Sequence, residues 1–348
     1  MAQDFVRALV LGGTGHIGNA IVRELLDRGI AVTVASRRAS PTPNLQGLAV
    51  EFVTTRGDRP WQAGEHVAGH DLVVDAAAPY PLRIFDRSRP FGMDPLQFAA
   101  SRSDALIAAV RRAKSRLALV GSFTTLPHPG ALASRIEADL LARIHPYFEV
   151  KRKIEAAVLE ATRQGLPALV VNPTAVLGPW DCKDPALCFL PLTLNGRLPF
   201  RSSRVVNIID VREVASGLVR AALGGAFGTR IPLCGHNVRL SELTAQACAL
   251  GAVSRPCLPA STRYGAALAL WGEAGWGLLG MDSPVPSLPI LLARYSYPMV
   301  AGELQRRLGV VPRPLASTLR DAIKWYASTG YLEHAPACIP PSSHAPSA

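Results

Sequence analysis

Tyr147 and Lys151 are four residues apart in "HPYFEVKRK", so on a helix they share one face and can point at one bound molecule. A phenol with a pKa of about 10 is a poor proton donor or acceptor at neutral pH unless a neighbouring ammonium stabilises its phenolate. Lys151 is one turn away to do so. Spacing alone does not separate a catalytic pair from two residues sharing a helix face, so the rest of the chain has to supply the context.

That context begins with "LGGTGHIG", which follows an apolar run and opens a helical pattern. Gly12, Gly13, Gly15 and Gly18 let the backbone turn tightly and approach a pyrophosphate. Thr14, His16 and Ile17 lie between them, where a helix N-terminus offers free N–H groups. The next strand ends "VASRRAS", with Ser36, Arg37 and Arg38 where an NAD site usually carries a carboxylate for the ribose 2'-hydroxyl. Guanidinium groups attract a 2'-phosphate, so the expected cofactor is NADP(H); the alternative is an exposed basic turn that contacts nothing. Asp58 is placed either to meet an adenine edge or as an ordinary turn residue. Small Ala76, Ala77 and Ala78 would let the cofactor lie against the backbone, or serve tight packing.

The elements positioning these residues read as strands alternating with helices. Strands are expected at "FVRALVLGG", "AVTVAS", "LAVEFV", "DLVVDAAA", "LALVGS" and "ALVVNP", with helices at "HIGNAIVRELLDRG", "DALIAAVRRAK" and "KRKIEAAVLEATRQG". Such alternation predicts an α/β fold with a doubly wound parallel sheet. After Pro173 the chain becomes richer in loops and proline, returning to a strand and helix at "VVNIIDVREVASGLVRAAL". The expected division is a cofactor-binding domain of residues 1–178 plus 205–234 and a smaller C-terminal substrate lobe of 179–204 plus 235–332. The Pro/Ser/Ala-rich residues 333–348 are expected to be disordered.

Composition bounds the function classes. With 348 residues and 49% hydrophobic content the chain can bury a sizeable core. Its 37 Lys+Arg against 26 Asp+Glu give a net charge of +11, but the arginines are scattered, without the runs or aromatic interleaving of a nucleic-acid groove. Six cysteines show no CxxC and no metal-ligand spacing, and with no secretory leader they read as reduced thiols of a cytoplasmic protein. The most apolar stretch, Ala266 to Met281, is interrupted by Glu273 and glycines, so no transmembrane helix is expected.

Glycine loop, strand-end Ser122, Tyr147-x-x-x-Lys151 and "VVNPTAVLGP", in this order, resemble the extended short-chain dehydrogenase/reductases, the NAD-dependent epimerase/dehydratase superfamily, and within them the dihydroflavonol-4-reductase-like branch. The resemblance covers most of the chain up to about Leu332. It implies a Rossmann-type fold and catalysis by Ser122, Tyr147 and Lys151: the serine fixes a substrate carbonyl, the tyrosine exchanges a proton with its oxygen, and the lysine supports the tyrosine and holds the ribose. It also implies nicotinamide contacts at Asn172 and Pro173, and a homodimer involving the Tyr147 helix. Tyr80, Leu190 and Phe200, with Ser122 and Tyr147, are the candidate substrate contacts.

Three departures stand out. Gly121 precedes Ser122 where the family often has Ser or Thr, which is expected to enlarge the pocket beside the carbonyl. No asparagine in "LQFAASRSDALIAAV" matches the family's usual proton-relay residue, and Asp75 stands where many members have histidine. The expected activity is NADPH-dependent reduction of a rather apolar ketone or aldehyde, or oxidation of the secondary alcohol. The alternatives are a nucleotide-sugar epimerase or dehydratase, for which Arg201, Arg204, Arg230 and Arg294 are candidate diphosphate ligands, and a non-catalytic NADP(H)-binding sensor.

Overall fold

Short apolar runs rich in Val and Leu, closed by glycine, proline or a polar cap, form the strands of one large sheet. The computed structural model describes residues 6–334 except 56–58, 82–83, 85–92, 199, 256–257, 260–261, 282 and 284–285. Its first half runs β1 (Arg7–Leu11), α1 (His16–Leu26), β2 (Ala31–Ser36), β3 (Val50–Thr54), β4 (Leu72–Asp75), α2 (Pro95–Ala113), β5 (Arg116–Val120), α3 (Leu132–Ile144), α4 (Pro146–Arg163), β6 (Ala168–Pro173) and β7 (Ala175–Leu177). The second half runs α5 (Phe189–Leu194), β8 (Phe200–Arg201), β9 (Val205–Asp210), α6 (Val211–Leu223), β10 (Arg230–Leu233), β11 (His236–Arg239), α7 (Leu240–Gly251), β12 (Leu258–Pro259), α8 (Thr262–Leu278), α9 (Leu288–Tyr295), α10 (Glu303–Arg307) and α11 (Leu315–Ser328).

Seven strands pair in the order β10-β6-β5-β4-β1-β2-β3, parallel throughout. The chain leaves β1 toward β2 and later returns to β4 on the other side of β1, so a crevice opens between the ends of β1 and β4, the usual ligand position in such sheets. Asp75 sits beside Leu11 and Leu119 in register, which brings the glycine loop and the turn after β5 to the same edge. A smaller mixed sheet, β11-β9-β7, and the pair β12-β8 follow.

Burial on both faces makes the central strands almost uniformly apolar. One core cluster lies between the sheet and α1 with α6; a second lies between the sheet and α2 with α4. A third gathers α3, α8, α9 and the start of α4 around Tyr147 and Phe148, and a fourth fills the space among α5, α7, α11 and β9.

Two departures of the helices from the sequence expectation bear on the site. The helix expected at "DALIAAVRRAK" begins earlier, at Pro95, because the Asp94 carboxylate accepts from the N–H groups of Leu96 (3.0 Å) and Gln97 (3.3 Å). Residues Leu132–Ile144, for which no helix is expected, form α3. It stops at extended His145, since Pro146 cannot continue it but can start α4, where His145 Nδ1 accepts from the Tyr147 N–H at 3.2 Å.

Candidate functional site

The glycine loop is built by close approach. Gly12 has φ +79°, and a Cβ there would lie 2.8 Å from the Ala76 carbonyl oxygen; a Cβ on Gly18 would lie 2.1 Å from the Gly12 oxygen. The N-cap, Gly15, offers no side-chain acceptor, which leaves the first N–H groups of α1 facing the crevice without a capping partner. Thr14 and Ser36 hydroxyls share a hydrogen bond of 3.1 Å that ties the loop to the end of β2. Arg37 and Arg38 are exposed just beyond it. A loop that only glycine fits, uncapped donors and two exposed guanidinium groups suit a dinucleotide phosphate. Ala76, Ala77 and Ala78 border the same crevice after β4, while Asp58 lies outside the described residues.

His16 and Ile17 open α1, and His16 is turned inward. Its Nδ1 lies 3.7 Å from Asp181 Oδ2, and burial holds its imidazole below the usual value while Asp181 opposes the shift.

Across the sheet edge, Ser122 caps the short turn after β5. Its Oγ accepts from the Tyr147 hydroxyl at 3.1 Å, from the Thr124 hydroxyl at 2.9 Å and from the Thr124 N–H at 3.3 Å. Its two lone pairs are shared among these three donors, which leaves its own hydrogen to be donated to a ligand. Tyr147 is buried, and burial, with Tyr80 nearby, pushes its phenol above the usual value despite the hydrogen bonds to Ser122 and Thr124. Tyr80 meets the Tyr147 ring edge-on, centroids 5.0 Å apart, and is half exposed.

Lys151 Nζ lies 6.0 Å from the Tyr147 ring centroid. Burial lowers its pKa to about 8; Asp75 and Glu155 oppose the shift and Arg102 adds to it. Asp75 and Arg102 form a buried two-pronged pair at 2.7 and 2.8 Å. Burial alone would raise the Asp75 carboxyl, but the guanidinium holds it below the ordinary range. The helix that lacks the expected asparagine thus brings an arginine to the strand-end aspartate behind the lysine.

Asn172 is fully buried. Its amide donates to the Ser122 carbonyl (3.0 Å), the Thr125 hydroxyl (2.9 Å) and the Glu155 carboxylate (2.8 Å), so its side chain braces the site from behind. Arg230 pairs with Glu155 at 2.6 Å. Gly121 is corrected by this arrangement. A Cβ there would meet Asn172 Nδ2 at 2.8 Å and Glu155 Oε2 at 3.1 Å, so its space belongs to the bracing group and not to a carbonyl pocket.

Pro173 ends β6 at the same edge. Leu190 has no exposed surface and packs in the core of the smaller sheet's helices. The side chains of Phe200 and Arg201 lie outside the described residues. A cavity of about 670 Å3 is lined by His128, Glu137, Ser202, Arg204, Arg294 and Tyr297 among others, and by none of Ser122, Tyr147 or Lys151. Arg294 pairs there with Glu137, and Arg204 donates to the carbonyls of Arg294 and Ser296. Thr124, Arg102 and Glu155 are the residues missed by sequence reasoning. Arg102, set among small residues in the first half of α2, and a glutamate four beyond Lys151 are the signals that mark two of them.

No helix among the described residues is long and apolar enough to cross a membrane. The chain is similar to a putative dihydroflavonol 4-reductase of Synechocystis sp. (strain PCC 6803), 26% identical over 333 residues that cover 93% of this chain and 95% of the relative. It is similar at 25% identity to sterol demethylase protein B of Methylococcus capsulatus, covering 93% and 99%. Among solved structures, a nucleoside-diphosphate-sugar epimerase from Pseudomonas aeruginosa superposes with a TM-score of 0.65 at 23% identity, covering 94% and 99%. Residues 8–192, more than half of the chain, match a family model, and the protein belongs to the NAD dependent epimerase/dehydratase family, the extended short-chain dehydrogenase/reductases.

Proposed function

We propose that the chain is an NADPH-dependent carbonyl reductase, acting between NADP(H) and a ketone, aldehyde or secondary alcohol of a rather apolar small molecule. The observation that carries this reading is the Tyr147 hydroxyl held on Ser122 Oγ with Lys151 one helical turn away. Bound NADPH supplies the hydride to the carbonyl carbon. Ser122 donates its free hydrogen to the carbonyl oxygen and orients it. Tyr147 gives its proton to that oxygen, and the Lys151 ammonium favours the tyrosinate left behind. Residues 1–178 with 205–234 hold the cofactor in this reading, and 179–204 with 235–332 the substrate. A homodimer built on α2 and α4 belongs to it too.

Arg37 and Arg38, with no carboxylate at the end of β2, favour the 2'-phosphate of NADP(H). The names of two relatives, a dihydroflavonol reductase and a sterol demethylase component, support an apolar carbonyl substrate. Against a sugar diphosphate stands the commitment of Arg204, Arg230 and Arg294 to internal partners.

Tyr147→Phe is expected to lower kcat on a carbonyl panel by about a hundredfold or more while NADPH still binds; unchanged turnover in the variant would sink the reading. Arg37→Ala is expected to weaken NADPH at least about tenfold and leave NADH alone, and equal weakening of both would reject NADP(H) preference. Sugar-nucleotide conversion without net NADPH consumption would assign the epimerase reaction instead.

A further inference from the structure

Fifteen large apolar side chains are exposed among the described residues, and eleven of them lie on α3, on α8 or in the turn after α8, so their exposure is localised. Along α8, Tyr264, Leu268, Trp271, Gly275 and Leu278 recur at steps of four and three, which is one helix face. Trp271 is 77% exposed and Leu278 90%; Leu279 and Met281 extend the patch beyond the helix end. The described outward residues of α8 carry no charge. Its Glu273 turns inward, accepting from the Ser287 N–H at 2.6 Å and from the Ser287 hydroxyl at 3.0 Å.

On α3, Leu132, Ile136, Leu140 and Ile144 are exposed at steps of four, with exposed Arg135, Asp139 and Arg143 beside them, two cations to one anion. The opposite faces of both helices are already satisfied. Ala138, Leu141 and Ala266 pack into the core cluster around Tyr147 and α9, so the bare stripes are the outside of a folded cap.

We propose that α8, with α3, beds the protein on an anionic lipid surface as an interfacial attachment that does not span the bilayer. Charge selects this occupant: a chain of +11 is drawn to an anionic leaflet, while the proposed homodimer already seats a second copy on α2 and α4 rather than on α8. The stripe's composition agrees. Tyr264 and Trp271 have the amphipathic rings that sit at headgroup depth, and the described residues of the α8 stripe offer no charged group to set the register of a protein partner. The attachment stands apart from the proposed reaction, because none of these side chains belongs to the Ser122–Tyr147–Lys151 group.

The test floats the full chain with vesicles of phosphatidylcholine alone and of phosphatidylcholine mixed with phosphatidylglycerol. Wild type is expected to float with the anionic vesicles, less so as salt rises, and lipids brominated in their acyl chains are expected to quench its tryptophan emission. The pair Trp271→Gln and Leu278→Gln is expected to cut the bound fraction about tenfold with the thermal midpoint unchanged. Protein left in the aqueous fraction with both vesicle types overturns the proposal, as does flotation without quenching that the two substitutions leave intact. A dimer in light scattering that the same substitutions dissociate, without vesicle binding, assigns the face to a second copy.

Discussion

Lys151 is the buried cation on which Asp75, Arg102 and Glu155 all act, and its proton is the one that ordinary pH controls. Burial lowers it to about 8, while the Tyr147 phenol is pushed up and stays protonated. Carbonyl reduction therefore loses its supporting ammonium as pH rises, and kcat/KM is expected to fall on a single-proton limb near pH 8. Asp75→Asn removes a charge that raises Lys151, so the limb should move to lower pH; a limb that stays in place would separate Asp75 from the lysine. The same substitution leaves Arg102 buried without its counter-charge, and a urea melt should show a loss of about 3 kcal/mol. The Tyr147–Lys151 proximity is readable from a spacing of four residues. The Asp75–Arg102 pair is not, because only the sheet order and the path of α2 bring those positions together.

At the scale of elements, the glycine loop depends on a contact that tolerates no side chain. Gly18→Ala would drive a Cβ to 2.1 Å from the Gly12 oxygen, forcing α1 off the loop. The expected cost is about 1–3 kcal/mol, with NADPH affinity falling alongside it; a variant with wild-type melting and titration curves would contradict this account of the loop. Six of the seven large-sheet strands are legible in the sequence because each is an apolar run with a glycine, proline or cap at its end, whereas β10 carries Pro232 within four residues and does not read as a strand. α3 is not, because Leu132, Ile136, Leu140 and Ile144 point to solvent and blur the polar face by which an ordinary amphipathic helix is recognised. α2 hides its start behind Met93-Asp94-Pro95, a cap followed by a proline that reads equally well as a loop.

For the whole molecule, Asp181 joins the two ends of the chain. It lies beside His16 of the glycine loop, pairs with Lys183 at 3.1 Å and accepts from the Tyr326 hydroxyl of α11 at 3.1 Å. Burial would raise its carboxyl, but His16 and Lys183 hold it well below the usual range. A carboxyl so held contributes stability above its unfolded value and loses it as pH falls through the depressed folded value. Asp181→Asn is expected to cost about 2 kcal/mol near neutrality, with the gap from wild type narrowing below about pH 4; a gap independent of pH in urea melts would show that the charge is not responsible.

The amide of Asn172 clamps the turn after β5, strand β6 and helix α4 together, and it uses the volume that Gly121 leaves open. Replacement at one of these positions is therefore conditional on the other. A serine or threonine before Ser122 collides with Asn172 as it stands, and a smaller residue at 172 releases the Ser122 carbonyl and leaves Glu155 to Thr125 and Arg230 alone. In this chain the two positions draw on one volume, so the costs of Gly121→Ser and Asn172→Ala should not add when the changes are combined.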